Sequence, residues 1–129
     1  MAQVKIYALA ASLAGQREQL SRVIHSCLID AFALPPEKRF QRFFPLAAED
    51  FLYPEGRSER YTILEIQLFE GRSEETKKRL IRLLFGRFAA ELGYDARDLE
   101  VNLIETPRAN WGIRGVPGDE LPLPYEVEV

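Results

Sequence analysis

The sequence predicts an α/β (α+β) fold in which two β-α-β halves form one sheet with two helices on one face. Three observations predict it: strand-like alternation is followed by a helix-like apolar stripe, this order occurs twice, and the two sets lie sixty residues apart. The chain has 129 residues, 47% of them hydrophobic, which is enough for a core without disulfides. We expect a single domain over residues 1–129, with halves at about 1–45 and 61–105 and a C-terminal loop and strand at 106–129.

The first half begins with an alternating segment from Val4 to Ala8 that predicts a strand. Ser12 is a candidate cap for the helix that follows, and Pro35-Pro36 should end it, because proline lacks a backbone N–H and clashes with the preceding turn. The segment from Arg39 to Phe44 is then predicted to be a strand. The apolar stripe of the helix recurs at three- and four-residue steps: Leu20, Val23, Ile24, Cys27, Leu28, Ala31 and Phe32.

The second half repeats this order. Tyr61 to Phe69 is the clearest strand of the chain, and Ser73 can cap the next helix, because its hydroxyl accepts a backbone N–H. Gly93 is a natural C-terminal stop, and Leu99 to Ile104 alternates as a strand. The stripe of this helix has the same spacing as the first one: Leu80, Ile81, Leu84, Phe85, Phe88 and Leu92.

A shift of sixty residues superposes the two halves without a gap. Ile6 then meets Ile66, and Leu20 meets Leu80. Two connecting segments lie outside this repeat. We expect a short strand at residues 51–53, and a terminal strand at residues 125–129 whose apolar side needs cover from the sheet or a neighbouring subunit.

Composition excludes several classes of protein. The net charge is −3, with 17 basic and 20 acidic residues, which argues against an electrostatic nucleic-acid binder. One cysteine and one histidine exclude the usual structural zinc sites, and we expect no metal or cofactor. No apolar run approaches the ~20 residues of a membrane span, so we expect a cytoplasmic protein. Cys27 is predicted to lie in the core, and His25 to be a partly exposed helical residue rather than a catalytic one.

Arginines at the ends of the predicted elements are the strongest candidates for chemistry. Lys38 and Arg39 open the second strand, Arg72 starts the second helix, and Arg114 follows Trp111 in a glycine-containing loop. The planar fork of arginine suits carboxylates, although most single arginines are solvated or pair with a nearby glutamate. A tryptophan in such a loop can form the wall of an anion pocket or fill a subunit interface, and the two roles are compatible.

The plan of the chain resembles the tautomerase superfamily, and in particular the longer-chain branch that includes malonate semialdehyde decarboxylase. The resemblance rests on the paired halves of about sixty residues and on the order of several local segments. These segments are Ala31-Phe32, Leu34-Pro35, Lys38-Arg39-Phe40-Gln41, Arg72-Ser73-Glu74-Glu75 and Asn110-Trp111.

The resemblance implies a homotrimer with a pocket near the start of each chain, shared between subunits. It also implies an N-terminal proline, exposed by loss of Met1, that moves protons. This chain departs from the pattern, since it has Ala2 in place of the proline. It also has Lys38 where the branch has an acidic residue and Glu70 where the branch has an arginine. Ala2 can offer a basic amine only if Met1 is removed.

The resemblance therefore implies proton transfer, of the keto-enol tautomerase (isomerase) kind, on a small 2-oxo or enol carboxylate, weakened or lost without the proline. The Ala2 amine would be the base, and Trp111 would close the pocket. The carboxylate and the developing enolate charge would be held by cations: Lys38, Arg39, Arg72 and Arg114. The alternatives are a non-catalytic carboxylate-binding or assembly protein with the same fold, and a ferredoxin-like plait, which shares the β-α-β-β-α-β order.

Overall fold

The computed structural model describes residues 2–129 and contains one four-stranded sheet, a pair of long helices and a small hairpin. Met1, whose removal would expose the Ala2 amine, lies outside the described residues. The elements, in chain order, are β1 (Ala2–Leu9), α1 (Ala10–Leu13), α2 (Arg17–Phe32), β2 (Phe40–Leu46), β3 (Thr62–Phe69), α3 (Glu74–Leu92), β4 (Leu99–Thr106), β5 (Gly112–Ile113) and β6 (Val116–Pro117).

The strand order in the large sheet is β2-β1-β3-β4. Within each half the two strands are parallel and adjacent, and the central pair, β1 and β3, is antiparallel. Each long helix therefore connects two neighbouring parallel strands. This arrangement confirms the predicted fold class and excludes the ferredoxin-like plait, whose β-α-β units are split by an intervening strand.

The internal repeat is confirmed by the boundaries of the elements. β1 and β3 correspond residue for residue after a shift of sixty. The long helices end at Phe32 and Leu92, and the outer strands end at Leu46 and Thr106, again sixty residues apart. The repeat thus extends to the ends of the helices and strands, although few residues are identical.

The core lies between the sheet and the two long helices. Alternate residues of β1 and β3 are buried on the side that faces the helices, as a half-covered sheet requires. Cys27 is a free, buried thiol within this core, as predicted. The largest fully buried side chains include Ile6, Leu20, Ile24, Phe32, Leu64, Ile66, Leu80, Leu84 and Phe88.

Helix ends follow the capping rules at some positions and not at others. Ser73 Oγ accepts the Thr76 backbone N–H at 3.2 Å, and Gly93 ends α3 with a φ of 68°, so both predicted signals are confirmed. The cap predicted at Ser12 is wrong, because Ser12 lies inside the four-residue α1 and the long helix starts at Arg17. α2 ends before the prolines, at a left-handed Ala33 with a φ of 53°.

Two predicted strands are absent from the structure. Residues 51–53 form no strand; Phe51 and Tyr53 instead pack with Tyr61 in an aromatic cluster whose ring centroids lie 5.0–5.5 Å apart. Residues 125–129 also form no strand. Their alternation arises because Val127 is buried against Phe69 while its neighbours face outward.

His25 is also more buried than predicted. It is only 8% exposed, and its Nε2 bonds to a backbone carbonyl of the loop after α2. The expectation of a partly exposed histidine is therefore wrong. His25 lies at the edge of the apolar stripe of α2. Such a position is exposed only where no loop covers it, and here the loop after α2 does.

Two neighbouring leucines of α3 test this packing. Leu84 is fully buried in the core, whereas Leu83 is only partly buried. We expect Leu84→Ala to lower the free energy of unfolding by about 2–5 kcal/mol, because it leaves a cavity as well as losing apolar burial. Leu83→Ala should cost less than half as much. Urea denaturation of both variants measures the difference, and equal losses would contradict the assigned helix orientation.

Candidate functional site

One end of the sheet collects most of the predicted site residues. Because β1 and β3 are antiparallel, Ala2 at the start of β1 pairs with Leu68 near the end of β3. β2 also starts there, since Gln3 pairs with Phe40, and β4 ends there, since it is parallel to β3. Four predicted site residues therefore lie in or close to the strand ends at this end of the sheet: Ala2, Arg39, Arg72 and Trp111.

Arg72 is a buried cation whose guanidinium makes no hydrogen bond within residues 2–129. It is 5% exposed, and all three of its guanidinium nitrogens are buried without a partner among the described residues. The guanidinium carbon lies 4.2 Å from the centroid of the Phe32 ring. Burial lowers the pKa of Arg72, and the neighbouring Tyr125 and Glu105 only partly oppose this. A buried charge of this kind is costly unless an anion pairs with it.

At the opposite end of the two long helices, Arg60 is an arginine whose guanidinium has hydrogen-bond acceptors. Arg60 lies 4.1 Å from the Tyr94 ring centroid, much as Arg72 lies over Phe32. Its guanidinium, however, donates to the Leu92 carbonyl at 2.7 Å and to the Gly93 carbonyl at 3.1 Å. Arg60 therefore caps the C-terminal end of α3, whereas the buried donors of Arg72 have no acceptor within residues 2–129.

The loop before β2 brings Lys38 and Arg39 to the start of the sheet. Lys38 is half-buried and Arg39 is exposed, and neither side chain makes a hydrogen bond or ion pair within residues 2–129. Ala2 is 4% exposed, and its methyl group belongs to the core. The two cations are thus free to bind an anion, while Ala2 can contribute only backbone atoms.

Trp111 is held in one orientation. Its Nε1–H donates to Thr106 Oγ1 at 2.8 Å, and its ring meets the buried Phe69 edge-on, with centroids 5.1 Å apart. Because its one donor is occupied, Trp111 can offer a ligand only an apolar surface. Arg114 lies at the exposed tip of the β5–β6 hairpin, where Arg114 and Gly115 have φ values of 49° and 86°, as a two-residue type I′ turn requires.

The C-terminal segment, residues 121–129, runs past the start of α3. The Ser73 backbone N–H and the Thr76 hydroxyl both donate to the Val129 backbone oxygen, at 3.1 and 2.8 Å. A Cβ on Gly71, whose φ is 131°, would lie 3.2 Å from side-chain atoms of Val127 and Glu128. The segment therefore flanks Arg72 on both sides and contributes to its burial.

Sequence reasoning missed Tyr125 as a neighbour of Arg72. The pKa of Tyr125 is raised by burial, and the nearby cations Arg72 and Arg108 oppose this. Nothing in the local pattern marks this position, because its role depends on how the terminal segment folds back. Arg108 itself is structural, since its guanidinium donates to the Gly118 carbonyl at 2.8 and 3.1 Å and to the Leu121 carbonyl at 2.8 Å.

One open cleft among the described residues is a poor site for an anion. It has a volume of about 760 Å³ and lies along the C-terminal segment, and it does not include Arg72. Its one arginine, Arg108, is already bonded to carbonyls. The other charged residues that line it are all acidic: Glu70, Asp119, Glu120, Glu126 and Glu128. The unpaired guanidinium of Arg72, and not the size of a cleft, therefore marks the candidate site.

A family model matches a large part of the chain. A family model described as tautomerase enzyme matches residues 38–114, which is more than half of the chain. The chain belongs to the tautomerase family. The matched range includes β2, the whole second half, Arg72, Trp111 and the hairpin tip.

Curated tautomerases resemble the chain at moderate identity. A probable tautomerase of Bacillus subtilis (strain 168) is 28% identical over 99 residues, which cover 73% of this chain and 76% of the relative. A 2-hydroxymuconate tautomerase of Comamonas testosteroni is 37% identical over 57 residues, covering 44% of this chain and 90% of the relative. The second relative thus has about the length of one half of this chain.

Solved structures share the fold over nearly the full chain. Malonate semialdehyde decarboxylase, described for its decarboxylase and hydratase activities, is 25% identical with a TM-score of 0.79, covering 89% of this chain and 93% of that chain. A native fused 4-OT is 21% identical with a TM-score of 0.79, covering 92% and 98%. The two-half architecture of this tautomerase is therefore that of known members.

Within residues 2–129, no helix combines the length and apolarity needed to cross a membrane. The same residues contain no cluster of three or more His, Cys, Asp or Glu side chains arranged to hold a metal ion.

The contrast between Arg72 and Arg60 predicts opposite effects of the same substitution. In buffer without carboxylates, Arg72→Met should raise the free energy of unfolding by about 1–3 kcal/mol, because it removes a buried charge that has no partner. Arg60→Met should lower it by about 1–2 kcal/mol, because the last carbonyls of α3 lose their donors. Urea denaturation measures both. A loss of stability in Arg72→Met equal to that in Arg60→Met would show that the Arg72 charge is already satisfied.

Proposed function

We propose that this tautomerase transfers a proton on a small 2-oxo or enol carboxylate. The observation that carries the proposal is the buried, unpaired guanidinium of Arg72 at the end of the sheet where Ala2 begins β1. A carboxylate is the anion that the planar fork of arginine pairs with best. The name of one relative, 2-hydroxymuconate tautomerase, gives a hydroxylated carboxylate as its substrate, which supports the same class of substrate here.

The base in this proposal is the α-amine of Ala2. A free α-amine has a reference pKa of about 7.7–8.0, and burial beside cations favours its neutral form. The neutral nitrogen would take the proton from the enol hydroxyl or from the carbon next to the carbonyl, and the ammonium would return it at the other position. With Met1 in place this nitrogen is an amide and cannot accept a proton. The chemistry therefore requires removal of Met1.

The cations would bind the substrate and stabilise the charge that develops on it. Arg72 and Arg39 would hold the carboxylate and the enolate oxygen, and Lys38 would add positive charge at the pocket edge. Trp111 would form an apolar wall that strengthens these interactions by excluding water. Arg114, at the hairpin tip, would complete the pocket of a neighbouring subunit.

The activity test compares two forms of the chain, one beginning with a free Ala2 amine and one retaining Met1. Intact mass identifies each form. We expect the free-amine form to accelerate ketonisation of enol phenylpyruvate, followed by absorbance, at least about 100-fold more than the Met1 form, because general base catalysis contributes that much or more. Arg72→Met, prepared with the free amine, should raise KM strongly. Equal rates for the two forms would remove the N-terminal amine from the mechanism.

A second candidate function is a non-catalytic small-carboxylate-binding or assembly protein that keeps the fold. The replacement of the N-terminal proline by Ala2, together with Lys38 and Glu70, favours it. Titration of the free-amine form with phenylpyruvate distinguishes the two. Binding that depends on Arg72 without any turnover would support this second function.

We further propose that the chain forms a homotrimer. On the helix-free face of the sheet, Tyr7 and Phe44 stack with centroids 4.7 Å apart, and Phe40 at the start of edge strand β2 is 41% exposed. Leu52, in the loop between the halves, is 87% exposed. A related fused 4-OT is described as a symmetric trimer. A cytoplasmic location fits the proposal, since the lone Cys27 is a free buried thiol.

Solution mass tests the trimer. Light scattering should give three times the 14.8 kDa of one chain. We expect Leu52→Glu to weaken association about ten-fold or more, because it would place a charge where the proposed trimer buries an apolar side chain between subunits. Lys78→Glu, on the exposed side of α3, is the matched control and should leave the mass unchanged. A wild-type mass of one chain would contradict the proposal.

A further inference from the structure

His25 connects the middle of α2 to the loop that precedes β2. Its Nε2 lies 2.6 Å from the Pro36 carbonyl oxygen, and the side chain is almost fully buried. A carbonyl oxygen can only accept a hydrogen bond, so Nε2 must carry the proton. The imidazole therefore donates a hydrogen bond to one atom of the loop. An apolar core residue at this position would make no such bond.

The loop over residues 33–39 has few other attachments to the body of the protein. Pro35 and Pro36 have no backbone N–H to contribute. The loop contains one turn bond, from the Lys38 backbone N–H to the Pro35 carbonyl at 2.9 Å, and Leu34 is its buried anchor. The bond from His25 therefore fixes the apex of the turn at Pro36, between the anchor at Leu34 and the start of β2.

This turn leads to Lys38 and Arg39, which lie directly before β2, the strand that pairs with the start of β1. Neither side chain is held by a partner within the described part of the chain. Their position relative to Ala2 therefore depends on the backbone that carries them. That backbone is held on one side by the pairing of β2 with β1 and on the other by the bond from His25 to Pro36.

We propose that His25 is a positioning residue that holds Lys38 and Arg39 at the mouth of the candidate site. The inference rests on the proposed function, in which these two cations bind the substrate carboxylate. His25 touches neither the substrate nor the reacting atoms. Its loss should therefore weaken substrate binding and leave the chemical step nearly unchanged.

The test compares two substitutions that differ in one donor. His25→Leu fills the space without an N–H, and His25→Gln keeps an amide N–H at about the reach of Nε2. For ketonisation of enol phenylpyruvate by the free-amine form, His25→Leu should raise KM about five-fold with kcat changed less than about two-fold, since one ordinary hydrogen bond is lost. His25→Gln should restore KM to within about two-fold of the wild type.

Cys27→Ala controls for stability, because Cys27 is buried in the core on the same helix as His25. It should lower the thermal midpoint without changing KM. Equal KM values for His25→Leu and the wild type, or a KM for His25→Gln as high as that of His25→Leu, would overturn the positioning role.

Amide hydrogen exchange at Lys38 gives a readout that does not depend on activity. Exchange should be faster in His25→Leu than in the wild type and normal in His25→Gln, because the turn bond of Lys38 opens when Pro36 is released. Unchanged exchange in His25→Leu would overturn the proposal even if the enzyme were active. Absence of wild-type turnover and of phenylpyruvate binding would instead reject the proposed function, while faster exchange would still support the role of His25 in holding the loop.

Discussion

The antiparallel pairing of β1 with β3 is the constraint on which the rest of the structure depends. It joins the two halves through seven paired positions, from Ala2 with Leu68 to Ala8 with Thr62, and it buries one face of both strands under the long helices. It also decides where functional groups meet. The start of the first half can lie beside the end of β3 and the start of α3 only because the central strands run in opposite directions.

The two ends of the helix pair are similar in structure because of the repeat, but they differ in how their arginine charges are satisfied. Each long helix ends near an aromatic ring with an arginine above it, Phe32 with Arg72 and Tyr94 with Arg60. At one end the guanidinium of Arg60 donates to carbonyls at the end of α3, and at the other the donors of Arg72 have no partner among the described residues. The hydrophobic core offsets the cost of burying the unpaired charge, so the fold tolerates this cation at the start of α3.

Local signals in the sequence predicted the parts of the fold that local physics controls. The apolar periods, the cap at Ser73 and the stop at Gly93 depend on neighbours within a few residues, and the structure has all of them. The local cap predicted at Ser12 is nevertheless wrong, and so are several predictions that depend on distant contacts. Residues 125–129 alternate because Val127 packs against Phe69, and not because they pair with a strand. The burial of His25 and the unpaired state of Arg72 likewise depend on segments that fold back from elsewhere in the chain.

The end of α3 near Arg60 has a consequence for protein design. There Arg60 donates to the last carbonyls of α3, and the Tyr94 hydroxyl shares a hydrogen bond with Thr62. The chain therefore satisfies the polar groups at this end with its own side chains. A designer who enlarges the neighbouring space with smaller residues removes these bonds, so a stabilising change elsewhere in the fold has to accompany the new cavity.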